Sequence, residues 1–181
     1  NFFGIDIFGE IIPNGTGIVI TNSTKSTEID SNFISGNDQN GILIYAYDDI
    51  SETRSHIITS NYIGLTPGLN AAPNNNGISI VGNVKSVLIG TNVNNIYKPN
   101  NIAGNLNAGI AVNSGYGFSP DSIILRKNII KQNGVTNLIV DPLCNSGIQP
   151  PFGLSMNWNT LAGIHDLPNV LIDIYRASRF E

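Results

Sequence analysis

The stretch Tyr45-Ala46-Tyr47-Asp48-Asp49-Ile50-Ser51-Glu52-Thr53-Arg54-Ser55-His56 holds the chain's densest set of chemically able side chains. Asp48, Asp49 and Glu52 supply carboxylates, the hard oxygen donors that calcium selects. A calcium ion takes roughly six to eight oxygens, so this loop offers only part of a shell. Tyr45 and Tyr47 offer ring faces for a sugar platform. Arg54 stands with Asp48 and Asp49 among the ligand-contacting candidates. The competing reading is a solvated acidic turn. His56 falls in a row with Thr27, Val87 and Ile123, which reads as a strand edge facing inward. A second loop, Asn113 to Asp121, carries Tyr116 and Phe118 among glycines, a pair that could stack on sugars or fold back over the chain.

What must position these loops is a repeat. Residues 1–20 align without a gap over residues 61–80, and Lys25, Ser26 and Ile29 continue the match to Lys85, Ser86 and Ile89. Within the block, Gly-Ile-x-Ile/Val recurs at Gly17, Gly41, Gly77 and Gly109. Ile/Leu-x-x-Asn-x-Ile recurs at Ile29, Ile58 and Leu125, with a split copy across Ile89-Asn92 and Asn100-Ile102. The apolar residues alternate at period two, which predicts strands. A unit this short cannot bury one face alone, so coils must stack, ~4.8 Å apart, with parallel pairing. The stacking predicts three inward rows: Ile18, Ile42, Ile78 and Ile110; Ile29, Ile58, Ile89 and Leu125; Ile34, Ile63, Ile102 and Ile130. Asn32, Asn61, Asn92 and Asn128 are expected to form a structural ladder at a tight corner. Phe33 and Tyr62 should stack on the outer face, one coil apart.

The outward residues of the Gly-Ile-x-Ile strands are then Val19, Leu43, Ser79 and Ala111, with Thr21, Tyr45, Val81 and Asn113. None is charged. Glycoside hydrolysis needs paired carboxylates, and lyase chemistry on uronates needs a cation and a base. Neither set lies on this face, so the expectation is no catalytic residue within these coils. Cys144 has no evident His or acid partner. The sequons at Asn14 and Asn22 carry little weight in so Asn-rich a chain.

Composition agrees with strands cornered by turns. The chain has 27 Asn and 29 Ile among 181 residues; Ile favours strands and Asn favours turns and left-handed backbone. Nine Lys and Arg against 13 Asp and Glu give a net charge of -4, which argues against nucleic acid as a partner. No apolar run approaches the roughly 18 residues of a membrane helix, so membrane insertion is not expected. The chain opens Asn1-Phe2-Phe3-Gly4 with no signal-peptide pattern.

These repeats resemble those of bacterial right-handed parallel β-helix proteins, whose fold is shared with pectate lyases. The likeness is carried by Asn61-Tyr62-Ile63-Gly64 through Pro73-Asn74 to Gly77-Ile78 and covers residues 1–142. It implies an all-β fold of about five coils. Residues 143–153 read as a linker. Residues 154–181, with Asn159 to Gly163 and Leu167 to Arg176, look like the first strands of an incomplete Ig-like domain. The chain reads as a fragment of a longer polypeptide. The resemblance implies a secreted or cell-surface bacterial protein, and the favoured function is a non-catalytic stalk or adhesive surface contacting polysaccharide or cell-surface glycan. The alternatives are a polysaccharide lyase or glycoside hydrolase with its active coils outside this stretch, and exported cargo bound by secretion or surface-anchoring proteins. Calcium is the one cofactor the loops suggest.

Overall fold

The computed structural model describes residues 1–147 and, beyond them, two antiparallel strands, Phe152–Asn157 and Thr160–Ile164. Apart from these two strands, the expected Ig-like opening lies outside the described residues, as do residues 148–151 of the expected linker.

Three parallel sheets are visited in turn, coil upon coil, which is compatible with a parallel β-helix. The first sheet holds β1 (Phe2–Phe3), β4 (Phe33–Ile34), β7 (Tyr62–Ile63), β10 (Asn101–Ala103) and β13 (Ile129–Lys131). The second holds β2 (Ile18–Thr21), β5 (Asn40–Ala46), β8 (Asn76–Gly82), β11 (Ala108–Asn113) and β14 (Thr136–Val140). The third holds β3 (Glu28–Asp30), β6 (Thr53–Thr59), β9 (Val84–Ile89) and β12 (Asp121–Leu125).

Strand register puts the three isoleucine rows in line: Ile18–Ile42–Ile78–Ile110, Ile29–Ile58–Ile89–Leu125 and Ile34–Ile63–Ile102–Ile130. They form one core, and Ile42, Ile58, Ile63, Ile78, Ile89, Ile102 and Ile110 are fully buried. Each contributes about 2–3 kcal/mol by leaving water. Outside the first sheet Phe2, Phe33 and Tyr62 stack at ring separations of 5.5 and 4.7 Å. Their faces are spent on one another, so this stack braces coils.

Stacked asparagines, buried in all but the first coil, hold the corners. Asn1, Asn32, Asn61, Asn100 and Asn128 run one per coil, each Nδ2 donating to the next Oδ1 at 2.8–3.0 Å. Each Oδ1 from Asn61 onward also accepts the backbone N–H of the previous ladder residue. The ladder member in the third gap is Asn100, not Asn92 as the sequence spacing suggested. A second ladder, Asn14, Asn37, Asn74, Asn105 and Asn133, runs at the corner before the second sheet and ends on Asn137. It explains the Gly-Ile-x-Ile pattern: a Cβ on Gly41 would lie 2.7 Å from the Gly77 carbonyl oxygen and 3.0 Å from Asn74 Nδ2.

Asn92 is displaced by an inserted hairpin. Gly4–Ile12, Gly64–Ala72 and Gly90–Lys98 make the same excursion, each closed by an N–H of the last residue to the carbonyl of the first at 2.9 Å. Each opens on a glycine of φ near +85° and its third residue caps the turn: Asp6, Thr66 or Asn92. Asn92 Oδ1 accepts from the N–H groups of Asn94 and Ile96. The coil then resumes at Pro99-Asn100, as it does at Pro13-Asn14 and Pro73-Asn74.

The last described turn closes the core. Cys144 is 2% exposed and packs with Val112 and Ile123, its thiol pointing to the Val112 carbonyl at 3.7 Å. Burial pushes the thiol above its ordinary range. Asn145 takes a strand's place beside β12, with its side chain bonded to both backbone groups of Ile123.

Asn61→Ala should therefore destabilise the chain by about 3 kcal/mol or more, since it strands several buried groups at roughly 1–3 kcal/mol each. Asn92→Ala, in an exposed turn, should cost under about 1 kcal/mol. Urea unfolding of both variants checks this, and equal losses would contradict the ladder assignment.

Candidate functional site

The corner between the second and third sheets gathers most of the candidates. β5 delivers Tyr45, partly buried between its row neighbours Thr21 and Val81. The chain then loops through Tyr47–Glu52 into β6. This loop is pinned to the next coil by Asn83, whose N–H donates to the Ala46 carbonyl and whose Nδ2 donates to the Asp48 carbonyl, both at 2.9 Å.

The second candidate loop arrives at the same place. Gly115 and Phe118 exchange two backbone hydrogen bonds of 2.9 Å around Tyr116 and Gly117. Both central residues have positive φ, +57° and +81°, the signature of a type I′ turn. Gly, Asn or Asp normally fill the first of these positions, and a tyrosine there costs about 1 kcal/mol or more. The ring rests on Gly82, which has no side chain to block it. It meets Tyr47 edge to face, centroids 6.4 Å apart at 73°. Tyr47 is 51% and Tyr116 61% exposed. Tyr45 and Phe118 are partly buried and serve as support rather than as surface.

The carboxylates do not assemble into a calcium shell. Glu52 spends one oxygen on Arg54 Nη1 at 3.2 Å and the other on Lys85 Nζ at 2.6 Å. The Lys85 ammonium, first, and then Arg54 hold its pKa below the usual carboxylate range. Asp49 is exposed, and Asp48 Oδ1 is enclosed with no donor. Among the described residues no three acidic, His or Cys side chains are placed to share a metal ion.

His56 is fully buried. Nδ1 accepts the Thr27 N–H at 3.3 Å, and Thr53 Oγ1 lies 3.0 Å from Nε2. The Thr53 hydroxyl donates to the Thr24 carbonyl at 2.8 Å, so it accepts from Nε2–H. Every proton in this chain is assigned, and only neutral imidazole fits. The side chain joins two coils; it is sealed from any substrate.

On the outer face of the second sheet, Ser79 and Ala111 point outward yet are only 7% and 3% exposed. They are small side chains sunk between Leu43 and Ile139 in the same row. Among the described residues there is no helix long and apolar enough to cross a membrane. Neither the protein-family models, the curated proteins nor the solved structures contain a match to this chain.

Burial lowers the His56 pKa from the ordinary 6.5. As pH falls through 6.5 the unfolded chain takes up a proton and the folded chain does not, so stability is complete above that pH and declines below it. Unfolding midpoints measured between pH 7.5 and 5 should fall for the parent chain. Part of that slope should vanish in His56→Gln, whose amide can keep one of the bonds. An unchanged slope would remove His56 from the acid response.

Proposed function

We propose that this chain is a rigid, non-catalytic segment of a secreted or cell-surface bacterial protein, wound as a right-handed parallel β-helix, and that it contacts glycans through Tyr47 and Tyr116. The convergence of these two tyrosines carries the reading. They come from loops far apart in sequence, meet at 6.4 Å, and remain more than half exposed. Large rigid rings with a wet hydroxyl suit the mixed apolar and polar faces of a sugar. Tyr116 also stands where the backbone favours Gly or Asn, and such a departure from local preference is a recognised mark of a functional position.

Two of the titratable groups nearby support a binding role over a catalytic one. His56 is committed as a neutral bridge, and Glu52 is committed to two cations. A general base needs a reachable, poised group, and these two are already engaged.

Tyr116→Asn suits the turn and should change stability by no more than about 1 kcal/mol. Together with Tyr47→Ala it should lower retention on immobilised polysaccharides by roughly tenfold, in line with about 1–1.5 kcal/mol for one aromatic contact. A binding panel of neutral and acidic polysaccharides, with melting curves as a fold control, makes the measurement. Retention unaffected by both substitutions would defeat the proposal, and release of new reducing ends by the parent chain would show catalysis instead.

A further inference from the structure

Tyr47 and Tyr116 are, among the described residues, the one pair of tyrosines in ring contact. Tyr62 lies flat on Phe33 with centroids 4.7 Å apart, and Tyr97 faces the Lys127 ammonium at 5.0 Å. Tyr45 is partly buried in its strand row. The two loops are also held at their bases. Asn83 fixes the Ala46 and Asp48 carbonyls beside Tyr47, and the Gly115–Phe118 bonds close the turn beneath Tyr116. Their backbones therefore stay together while the half-exposed rings stay free to tilt, which exposed side chains do within nanoseconds.

A phenol gives up one electron and its hydroxyl proton to become a phenoxyl radical, whose unpaired electron is shared with the ring carbons ortho to the oxygen. Two such radicals side by side join through those carbons. The two ring hydrogens at the new bond pass to the oxygens as the rings regain aromaticity. The sum is loss of two hydrogens and formation of one carbon–carbon bond. Hydrogen peroxide acting through a haem peroxidase accepts those hydrogens and leaves as two waters. The edge-to-face contact at 6.4 Å aims the rim of one ring at its neighbour, and exposures of 51% and 61% open both rings to the oxidant. A thiol would compete for it, but the chain's one cysteine, Cys144, is only 2% exposed.

We propose that Tyr47 and Tyr116 form a modification site, joined by peroxide-driven oxidation into a dityrosine that braces the coils covalently. The link would tie the loop after β5 to the loop after β11 across β8, which lies between those two strands in the second sheet. Tyr116 already reaches over Gly82 at the end of β8, where no side chain stands in the way. Closing a long loop in this way restricts the unfolded chain as a disulfide does, and this chain has no internal disulfide to do it. The proposal needs only proximity and access, so it does not rest on the glycan reading of the same two rings.

The test oxidises the intact chain with hydrogen peroxide and a haem peroxidase, and in parallel with a photoactivated ruthenium oxidant that needs no docking. At about 1 μM chain, a ring held beside its partner at an effective concentration of roughly millimolar or more outcompetes a second molecule. The product should therefore be a monomer by gel filtration, with dityrosine fluorescence and a mass lower by two hydrogens. Peptide mapping should join the Tyr47 and Tyr116 peptides. Tyr47→Phe and Tyr116→Phe each keep the ring and remove the phenol, so each should abolish the monomeric product, whereas Tyr45→Phe should leave it unchanged. Melting curves matching the parent before oxidation establish that the variants fold, and the cross-linked parent should melt at a higher temperature than the untreated one. Cross-links between molecules alone, a link mapping to another tyrosine, product retained by Tyr47→Phe, no dityrosine with either oxidant, or no gain in melting temperature would each overturn the assignment.

Discussion

A backbone that turns a corner every few residues carries amide groups that no sheet can satisfy, and stacked asparagine side chains satisfy them here. Each interior ladder residue accepts through one oxygen and donates through Nδ2, both to the next coil and back to a carbonyl of its own or the preceding one. Buried polar groups left unpaired are costly, so the ladders are satisfied from end to end or they fail. They also fix register. A slip of one residue would turn the isoleucines outward, but it would first tear Asn61 from Asn32 and Asn100. The core supplies most of the stabilisation and the ladders decide which stacking receives it.

That dependence explains what the sequence makes legible. The isoleucine rows are readable because strand period and repeat offset agree, and the Phe33–Tyr62 stack follows from the same register. The Asn14–Asn133 ladder is marked by an Asn three or four residues before Gly-Ile-x-Ile, a signal hidden by the abundance of Asn elsewhere. Asn92 misleads because spacing alone cannot tell a corner from a hairpin inserted at that corner. The discriminating feature is the pair of ends, Gly90 and Pro99-Asn100, which match Gly64 and Pro73-Asn74. The meeting of Tyr47 and Tyr116 could not be read at all. It depends on how two variable loops fold over one sheet end, and nothing periodic records that.

The framework and the surface obey different rules. Where the chain supports itself, most positions follow local preference: Ile on strands, Asn in the ladders, Gly where two backbones pass; Ser31, Ser60 and Lys127, each just before a ladder asparagine, take left-handed angles to make the corner. Where it departs from preference, the departures face solvent. Tyr116 holds left-handed angles in a turn suited to Asn. Four serines, Ser26, Ser55, Ser86 and Ser122, do the same in a line along the third sheet, and each lifts a charged neighbour outward with it. Strain of this kind persists only when its surroundings over-determine it, and ladders on either side of each coil provide that rigidity. A stacked coil also converts one tolerated irregularity into a row, because the register that aligns the core aligns the left-handed serines too. The serine row is thus a linear array whose pitch is set by the same asparagines that hold the corners.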